Sequence, residues 1–370
     1  MVEWKKLEEI AKYRRGSFPQ PYGKEEWYNG EGAMPFVQVA DVEENAMCLK
    51  ETTKQYISTL AMPMSVYVPQ GSIVVTLQGS IGKVAITQYE SYVDRTLGIF
   101  TGFKIPINKK YFVYQLQKIF SIKKEKARRG IKKTITKEEF SKFEIPIPSK
   151  SEQERIVSIL DTFTSSISNL KEQIKERRKQ YEYYRDQLLD LEGKDGVEMK
   201  TLPQISKNLD RKRKAITSTK RVAGLYPYYG ASGIVDYVES YIFDGNYLLI
   251  SEDGANLIAR TTPIAFSIKG KNWVNNHAHV LEFDNLITQK YVEIYLNHID
   301  LSFWINGAAQ PKLNQENINK IEYPLPSKQE QLRIVTILDQ FEASIANLEA
   351  QLKEREKQYE YYRNQLLTFE

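Results

Sequence analysis

The chain has 370 residues, 41% of them hydrophobic and 27% charged, which indicates a folded protein of two or three domains and excludes a disordered one. Its 52 Lys and Arg residues exceed its 47 Asp and Glu residues by five, so a polyanionic partner is allowed but not required. The single cysteine, Cys48, excludes an intrachain disulfide and a cysteine-based zinc cluster, and no apolar run reaches the roughly 18 residues of a membrane span. We therefore expect a cytoplasmic protein with no membrane partner.

Residues 1–145 have the pattern of a mixed α/β domain. The alternating runs Ser72–Thr76 and Lys83–Ile86 predict strands. The run Gly79–Lys83 is too short for a phosphate-binding loop and predicts a hairpin turn. From Ile122 to Lys137 there are eight basic residues and one acidic residue, a local charge of +7.

Residues 146–192 predict one long helix. Pro146 and Pro148 at its start bar a helix upstream, and Ser149 followed by Glu152 has the spacing of a capping box. From Ile156 to Leu188 apolar residues recur at alternating steps of four and three, a period typical of a coiled-coil seam. This stretch would be about 48 Å long at ~1.5 Å per residue.

Residues 193–323 again have a mixed α/β pattern. The runs Tyr247–Ile250 and Pro263–Ser267 predict strands. From Lys207 to Arg221 there are seven basic residues and one acidic residue, a local charge of +6, with several tyrosines close by. His277 and His279 share one face of a predicted strand, but without a cysteine or an evident carboxylate partner they are a weak metal signal, and we predict no metal site.

Residues 324–370 repeat the long helix. Residues 324–367 match residues 146–189 without a gap, with 31 identities in 44 positions. A fainter echo pairs VEWKKLEEIAK at residue 2 with VEMKTLPQISK at residue 197. The chain therefore alternates two variable blocks with two nearly constant helices. The predicted seam comprises Leu160, Phe163, Ile167, Leu170, Ile174, Leu338, Phe341, Ile345, Leu348 and Leu352.

The two apolar stripes match each other, so we predict that the two helices pair. Antiparallel pairing is preferred because it relates the halves by a local two-fold axis and sends the variable blocks to opposite ends. An ordinary helical core, or pairing with another chain, remains an alternative. Arg177 and Arg355 interrupt the seam at the same position, either as stems lying along it with charged heads in water or as polar residues that set the register.

Basic residues interleaved with Tyr and Asn suit phosphate contacts combined with base contacts. One charge run is usually just a solvated surface, but two similar clusters in two similar blocks favour nucleic acid. The candidate nucleic-acid contacts are Lys123, Lys124, Arg128, Arg129, Lys132, Lys133, Arg211, Lys212, Arg213, Lys214, Tyr228, Tyr229, Asn276, His277, Gln310 and Lys312.

Motifs of common nucleic-acid enzymes are missing from the sequence. It has no G-x-x-x-x-G-K-[ST] run, no G-x-G-x-x-G between a strand and a helix, and no Asn/Asp-Pro-Pro-Tyr/Phe run. The carboxylates of the long helices have the spacing of solvated surface charges. We predict no catalytic residue and interpret the chain as a non-enzyme.

The motif P-x-P-S-x-x-E-Q-x-R-I-V-x-x-L-D, which opens both helices, resembles the specificity (S) subunit of type I restriction–modification systems. The runs Tyr226–Gly233, Ile250–Gly254, Trp273–His279 and Gly307–Leu313 are similar to runs in that family's target recognition domains. The first block matches more loosely, through Pro35–Gln38, Gly71–Val75 and Gly79–Val84.

The resemblance implies an α+β fold in which two mixed α/β target recognition domains are joined by two long helices, paired as a pseudo-two-fold symmetric antiparallel coiled coil. Residues 1–145 and 193–323 would each read one half of a split, asymmetric site on double-stranded DNA, and residues 146–192 and 324–370 would be the spacer. Two methyltransferase (M) subunits would dock and bring the S-adenosylmethionine site, and an endonuclease/translocase (R) subunit would join for cleavage. This chain itself would bind no cofactor.

Two rival interpretations remain. A coiled-coil scaffold that binds proteins predicts no salt-sensitive retention on DNA, even with methyltransferase present. A solitary enzyme acting on nucleic acid predicts methyl transfer from S-adenosylmethionine without partners, and the missing motifs disfavour it.

Overall fold

A computed structural model describes residues 2–127, 137–307 and 310–369. Four of the predicted contacts, Arg128, Arg129, Lys132 and Lys133, lie outside the described residues. Among the described helices, none is both long and apolar enough to cross a membrane.

The described chain contains the following strands and α-helices. The strands are β1 (Glu3–Lys6), β2 (Ala11–Arg15), β3 (Met34–Val37), β4 (Gln55–Ile57), β5 (Val66–Val68), β6 (Ile73–Thr76), β7 (Val84–Ile86), β8 (Ser91–Val93), β9 (Leu97–Phe103), β10 (Glu144–Ile147), β11 (Glu198–Thr201), β12 (Lys207–Asn208), β13 (Ala223–Gly230), β14 (Gly233–Val238), β15 (Phe243–Ser251), β16 (Ala265–Val274), β17 (Ala278–Glu282) and β18 (Glu322–Leu325). The helices are α1 (Leu7–Ile10), α2 (Lys109–Ala127), α3 (Lys137–Ser141), α4 (Lys150–Leu189), α5 (Leu202–Ile205), α6 (Asn256–Ala259), α7 (Leu286–His298), α8 (Gln315–Ile318) and α9 (Lys328–Leu367).

The chain divides into two compact units, and the boundaries of neither unit coincide with those of a predicted block. Unit 1 comprises residues 1–169 and 351–370, and unit 2 comprises residues 170–350. Each unit therefore contains one variable block, the first part of one long helix and the last part of the other.

Unit 1 is built on two four-stranded sheets, ordered β2-β9-β6-β7 and β4-β3-β8-β5. The first sheet packs against α2 through buried side chains such as Val75, Phe100 and Phe112. The predicted strands and hairpin are confirmed, since β6 and β7 pair antiparallel on either side of the turn. Gly82 in that turn has a φ of +82°, and a Cβ there would lie 2.4 Å from the Phe120 ring, so the turn needs glycine.

Unit 2 is built on a six-stranded sheet ordered β12-β17-β15-β16-β13-β14. Its central strand β15 pairs antiparallel with both β16 and β17. The core joins apolar residues of this sheet to α7 and to the long helices, through side chains such as Leu248, Tyr291 and Leu338. Strands predicted at 247–250 and 263–267 lie within or overlap β15 and β16, which confirms them.

The entry to each long helix is built in the same way in both units. The faint N-terminal echo forms the strands that pair with the proline-containing strands, β1 with β10 and β11 with β18. The Tyr111 hydroxyl donates to the Pro146 carbonyl oxygen at 2.8 Å, and the Tyr291 hydroxyl donates to the Pro324 carbonyl oxygen at 2.6 Å. The N–H groups at the start of each helix have no partner within the helix and need acceptors from caps.

Each long helix forms one of the two hydrogen bonds of the predicted capping box. The hydroxyls of Ser149 and Ser327 each accept a hydrogen bond at 3.3 Å from the backbone N–H of the glutamate three residues on. The Glu152 carboxylate pairs with the Arg155 guanidinium at 2.7 Å, and its counterpart in α9 does the same. Both helices then run for 40 residues.

An aromatic contact joins α4 and α9 in each unit. In unit 1, Phe163 stacks on Tyr362 with ring centroids 5.3 Å apart, and the Arg355 guanidinium lies 5.7 Å from the Phe163 ring centre. In unit 2, Phe341 stacks on Tyr184 at 5.5 Å with Arg177 at 5.7 Å.

Arg177 and Arg355, which interrupt the predicted seam, therefore each lie over a phenylalanine ring of the other long helix. Slipping one helix by a turn would break both the stacking and the cation–π contact, each worth about 0.5–1.5 kcal/mol. All ten predicted seam side chains are buried or half-buried.

We expect Phe163→Ala to lower the free energy of unfolding by about 2 kcal/mol, less than the ~3–5 kcal/mol of a fully buried Phe→Ala, because Phe163 is half-buried. Urea unfolding followed by circular dichroism measures it. Thr162→Ala, at an exposed neighbouring position, is the control and should change stability by less than about 0.5 kcal/mol. Equal effects of the two substitutions would contradict the aromatic contact.

Candidate nucleic-acid interface

Three loops of the second block, distant in sequence, meet at one end of the six-stranded sheet. The loop after β15 is joined to the 310–313 segment, since Leu313 donates to the Glu252 carbonyl at 2.8 Å and Gly254 donates to that of Pro311 at 3.1 Å. The Glu252 N–H donates to the His277 carbonyl at 2.9 Å, which adds the loop before β17. Three of the four runs that resemble target recognition domains therefore converge on one place.

A buried ionic network fastens these loops together. The centre is His279, which is 1% exposed, with its Nδ1 atom 2.6 Å from an Asp210 carboxylate oxygen and its Nε2 atom 2.9 Å from the Leu313 carbonyl oxygen. Arg213 bridges the two carboxylates, at 2.7 Å from Glu252 and 3.3 Å from Asp210.

Both ring nitrogens of His279 face hydrogen-bond acceptors, a carboxylate and a carbonyl oxygen. Arg213 and Lys312, whose ammonium lies 3.2 Å from Glu252, place positive charge against the two carboxylates. The Lys312 side chain is half exposed and lies at the rim.

The cations keep both carboxylates ionised. Burial raises the pKa of Asp210. The hydrogen bond and charge of His279, the hydrogen bond from the Val280 backbone N–H and the charge of Arg213 together lower it below the ordinary value. Burial likewise raises the pKa of Glu252, and Arg213, His279 and Lys312 lower it below the ordinary value.

The sequence-based view that the histidines lack carboxylate partners is wrong. Folding brings Asp210 and Glu252 to His279, with their ligand atoms within 4.8 Å of one another, and brings Asp253 to His277 at 2.9 Å. Three ligand atoms that close could hold a cation. However, Arg213 and Lys312 already bind the same carboxylate oxygens, so the electrostatics of the cluster are those of an internal salt bridge.

Beside this network lies a groove of about 590 Å³. Asn276 and His277 are exposed at its edge, and Thr217, Arg221 and Asn256 also line it. Amide, imidazole and guanidinium groups are the donors and acceptors that read base edges. Because the Asn275 side-chain oxygen accepts from the His277 backbone N–H at 2.8 Å, the loop is held in a fixed turn.

The predicted contacts of the second block separate into surface and core residues. Arg211, Lys212, Lys214 and Gln310 are exposed, as the prediction requires. Tyr229 is half-buried with its ring 6.1 Å from that of Phe266.

Two of the selected residues serve the fold instead. Arg213 is mostly buried and already neutralised by its two carboxylates. Tyr228 is 1% exposed and its hydroxyl accepts from the Ile216 backbone N–H at 3.0 Å, so its ring is part of the core rather than a surface for a base.

In the first block, the two described basic residues of the predicted cluster have partners within the unit. Lys123 lies 4.4 Å from the centre of the Phe143 ring, and the Lys124 ammonium is 2.6 Å from the Glu44 carboxylate.

Groove residues that the sequence did not single out are Thr217, Asp253 and Asn256. A signal was present for Asp253, which lies within the run Ile250–Gly254 that resembles target recognition domains. Asn256 lies two residues after that run.

The fold and the loop cluster define a duplicated binding protein, in which two different blocks share a common helical frame. The family described as type I restriction modification DNA specificity domain matches residues 1–177 and 194–357, which covers both halves. The chain belongs to this family, whose role is DNA sequence specificity in type I restriction–modification systems.

Individual relatives agree with this assignment. The EcoprrI specificity subunit of Escherichia coli is 28% identical over 360 residues, 92% of this chain and 88% of that relative. A Haemophilus influenzae protein, described as a putative type I restriction enzyme specificity subunit, is 35% identical over 188 residues, and the match spans about half of each chain, 49% and 48%. The crystal structure of an S subunit from M. genitalium has the same fold, with a TM-score of 0.64, 16% identity, and 100% and 97% of the two chains covered.

We expect Asp210→Ala to destabilise the folded chain by about 3–5 kcal/mol, because it leaves His279 and Arg213 buried with reduced compensation. The control is Asp253→Ala, which removes the carboxylate of the half-exposed His277 pair and should cost about 0–1 kcal/mol. Urea unfolding of both variants measures the difference. If both variants cost less than 1 kcal/mol, the buried network does not fasten the loops.

The lowered pKa values of Asp210 and Glu252 also predict a pH dependence. Their contribution to stability is complete above the ordinary carboxyl pKa of about 4 and is lost as the pH falls through the lowered values. We therefore expect the melting temperature to fall between about pH 4 and pH 2, and to fall less steeply in Glu252→Gln. Glu322→Gln, at an exposed position on β18, should keep the wild-type slope.

Proposed function

We propose that this chain is the non-catalytic specificity subunit of a type I restriction–modification complex and that each block reads one half of a split DNA site. The observation that carries the proposal is the family match over both halves, combined with two blocks of different sequence on a repeated frame. Because the blocks differ in sequence, the two half-sites differ and the target is asymmetric.

The second block reads DNA with its loop cluster. The exposed cations Arg211, Lys212 and Lys214 contact phosphates and supply affinity that does not depend on sequence and falls with salt. Asn276, His277 and Gln310 contact base edges. The network around His279 holds the loops, so that little entropy is lost when DNA binds.

The long helices form an antiparallel coiled coil with a pseudo-two-fold axis. The contacts inside unit 2 support this direction, since Arg178 pairs with Glu349 at 2.5 Å while Tyr181, further along α4, reaches back to Glu342 at 3.1 Å. Equivalent aromatic contacts in the two units support the symmetry.

The coiled coil acts as a spacer between the two recognition domains. DNA presents the same face every ~34–36 Å, so a rigid spacer fixes how many unread base pairs separate the half-sites. Residues 1–145 and 193–323 are the recognition domains, and residues 146–192 and 324–370 are the spacer.

The chemistry belongs to partner subunits. Two methyltransferase (M) subunits bring S-adenosylmethionine, and an endonuclease/translocase (R) subunit joins for cleavage. A structural relative at 14% identity and a TM-score of 0.59 comes from work on complex assembly and conformational transition of the type I R-M system, which supports assembly with other subunits.

The proposal is tested by lengthening the spacer. One heptad inserted in each long helix, after Asn169 and after Ala350, adds about 10 Å at ~1.5 Å per residue, or about three base pairs. The variant is co-expressed with its methyltransferase subunit in a host without DNA methylation, and methylated sites are mapped by sequencing. We expect both half-site sequences to stay the same and the unread spacer to grow by about three base pairs.

The control inserts seven residues between Gly193 and Gly196, in an exposed turn outside the helices, and should leave the spacer unchanged. A heptad variant that methylates sites of the wild-type spacing would refute the proposal that the coiled coil sets the distance between the half-sites. A wild-type chain that yields no split motif would refute the specificity function itself.

A further inference from the structure

Each block contains a turn of the same kind. In the first block β8 runs parallel to β3, with Val93 opposite Val37, and then turns into β9. In the second block β16 runs parallel to β13, with Val274 opposite Tyr229, and then turns into β17. In both blocks the second strand of the parallel pair ends and the following strand begins four residues later.

Each turn is closed by a buried side chain at its first position. Asp94 and Asn275 are 1% and 7% exposed. Their N–H groups donate at 3.0 Å to the carbonyl oxygens of Val37 and Tyr229. Their side-chain oxygens accept from the backbone N–H two residues on, at 2.9 Å from Thr96 and 2.8 Å from His277.

The residue between the closing bonds is exposed in both turns. It is Arg95 in the first block and Asn276 in the second. Because the residues on either side are held by backbone and side-chain bonds, the backbone position of the middle residue is fixed before any ligand arrives. The two blocks therefore present different side chains from the same structural position.

The surroundings of Arg95 orient its guanidinium further. The guanidinium lies 5.0 Å from the centre of the Tyr22 ring, and the Tyr22 hydroxyl donates to the Asp94 carboxylate. Burial and the hydrogen bond to Asp94 raise the pKa of Tyr22, which keeps its hydroxyl a donor. In the second block, Asn276 lies at the edge of the groove described above.

Arginine and asparagine are matched to different bases. A guanidinium fork pairs with the O6 and N7 atoms of guanine, and a side-chain amide pairs with the N6 and N7 atoms of adenine. We propose that Arg95 and Asn276 are equivalent specificity-determining residues, Arg95 reading a guanine in one half-site and Asn276 an adenine in the other. This inference rests on the proposed function and names which residues carry base choice.

The test uses the full chain co-expressed with its methyltransferase subunit, with methylated sites mapped by sequencing. We expect Arg95→Ala to lose the preference for guanine at one position of one half-site, roughly 5- to 150-fold, and to leave the other half-site unchanged. Asn276→Ala should lose an adenine preference in the other half-site only. Arg95→Lys keeps the charge without the fork, so it should also relax the guanine position.

Lys12→Ala removes another exposed basic residue of the first block, on β2, and should leave both half-sites as they are. An intact wild-type motif that neither Arg95 nor Asn276 variants alter would overturn this inference alone. A uniform loss of methylation at every site in Arg95→Ala and Arg95→Lys would also overturn it, because it would make Arg95 a phosphate contact. A wild-type chain with no split motif would overturn the proposed function as well.

Discussion

The rest of the structure depends on burial of the apolar stripes of α4 and α9. An amphipathic helix of 40 residues cannot leave its stripe in water, and here each helix divides its stripe between the two units. Phe163 in unit 1 and Phe341 in unit 2 each contact an arginine and a tyrosine of the other helix. Consequently, each unit contains part of both long helices, and unit 1 joins two stretches that are distant in sequence.

The entries to the long helices are alike in the two units, whereas the exposed turn residues differ, and there is a physical reason for this. Buried backbone carbonyls need hydrogen-bond donors. An equivalent tyrosine hydroxyl supplies one at the entry to each long helix, Tyr111 in unit 1 and Tyr291 in unit 2. Exposed turn positions such as Arg95 and Asn276 carry no such requirement. A fixed turn with an exposed middle residue allows the two recognition domains to differ in base choice while they share one fold.

Charge counts along the chain overestimated the basic surface of the second block. Of the consecutive cations from Arg211 to Lys214, Arg213 is turned inward by two carboxylates that are 39 residues ahead and three residues behind in sequence. Its burial is coupled to that of His279, since both side chains lie against Asp210 and Glu252. Composition gives the number of charges, but only packing shows which of them remain free for DNA.

The sequence by itself determined the long helices, the hairpin at Gly82 and the duplication, because helical period, turn chemistry and repeats are local properties of the chain. It also placed Asn276, His277 and Gln310 among the candidate contacts. Only the tertiary structure decided that Asp210 meets His279, 69 residues away, that Tyr228 is buried, and that Arg95 and Asn276 occupy equivalent turns. Those relations depend on which strands become neighbours, and no local spacing records strand pairing between distant segments.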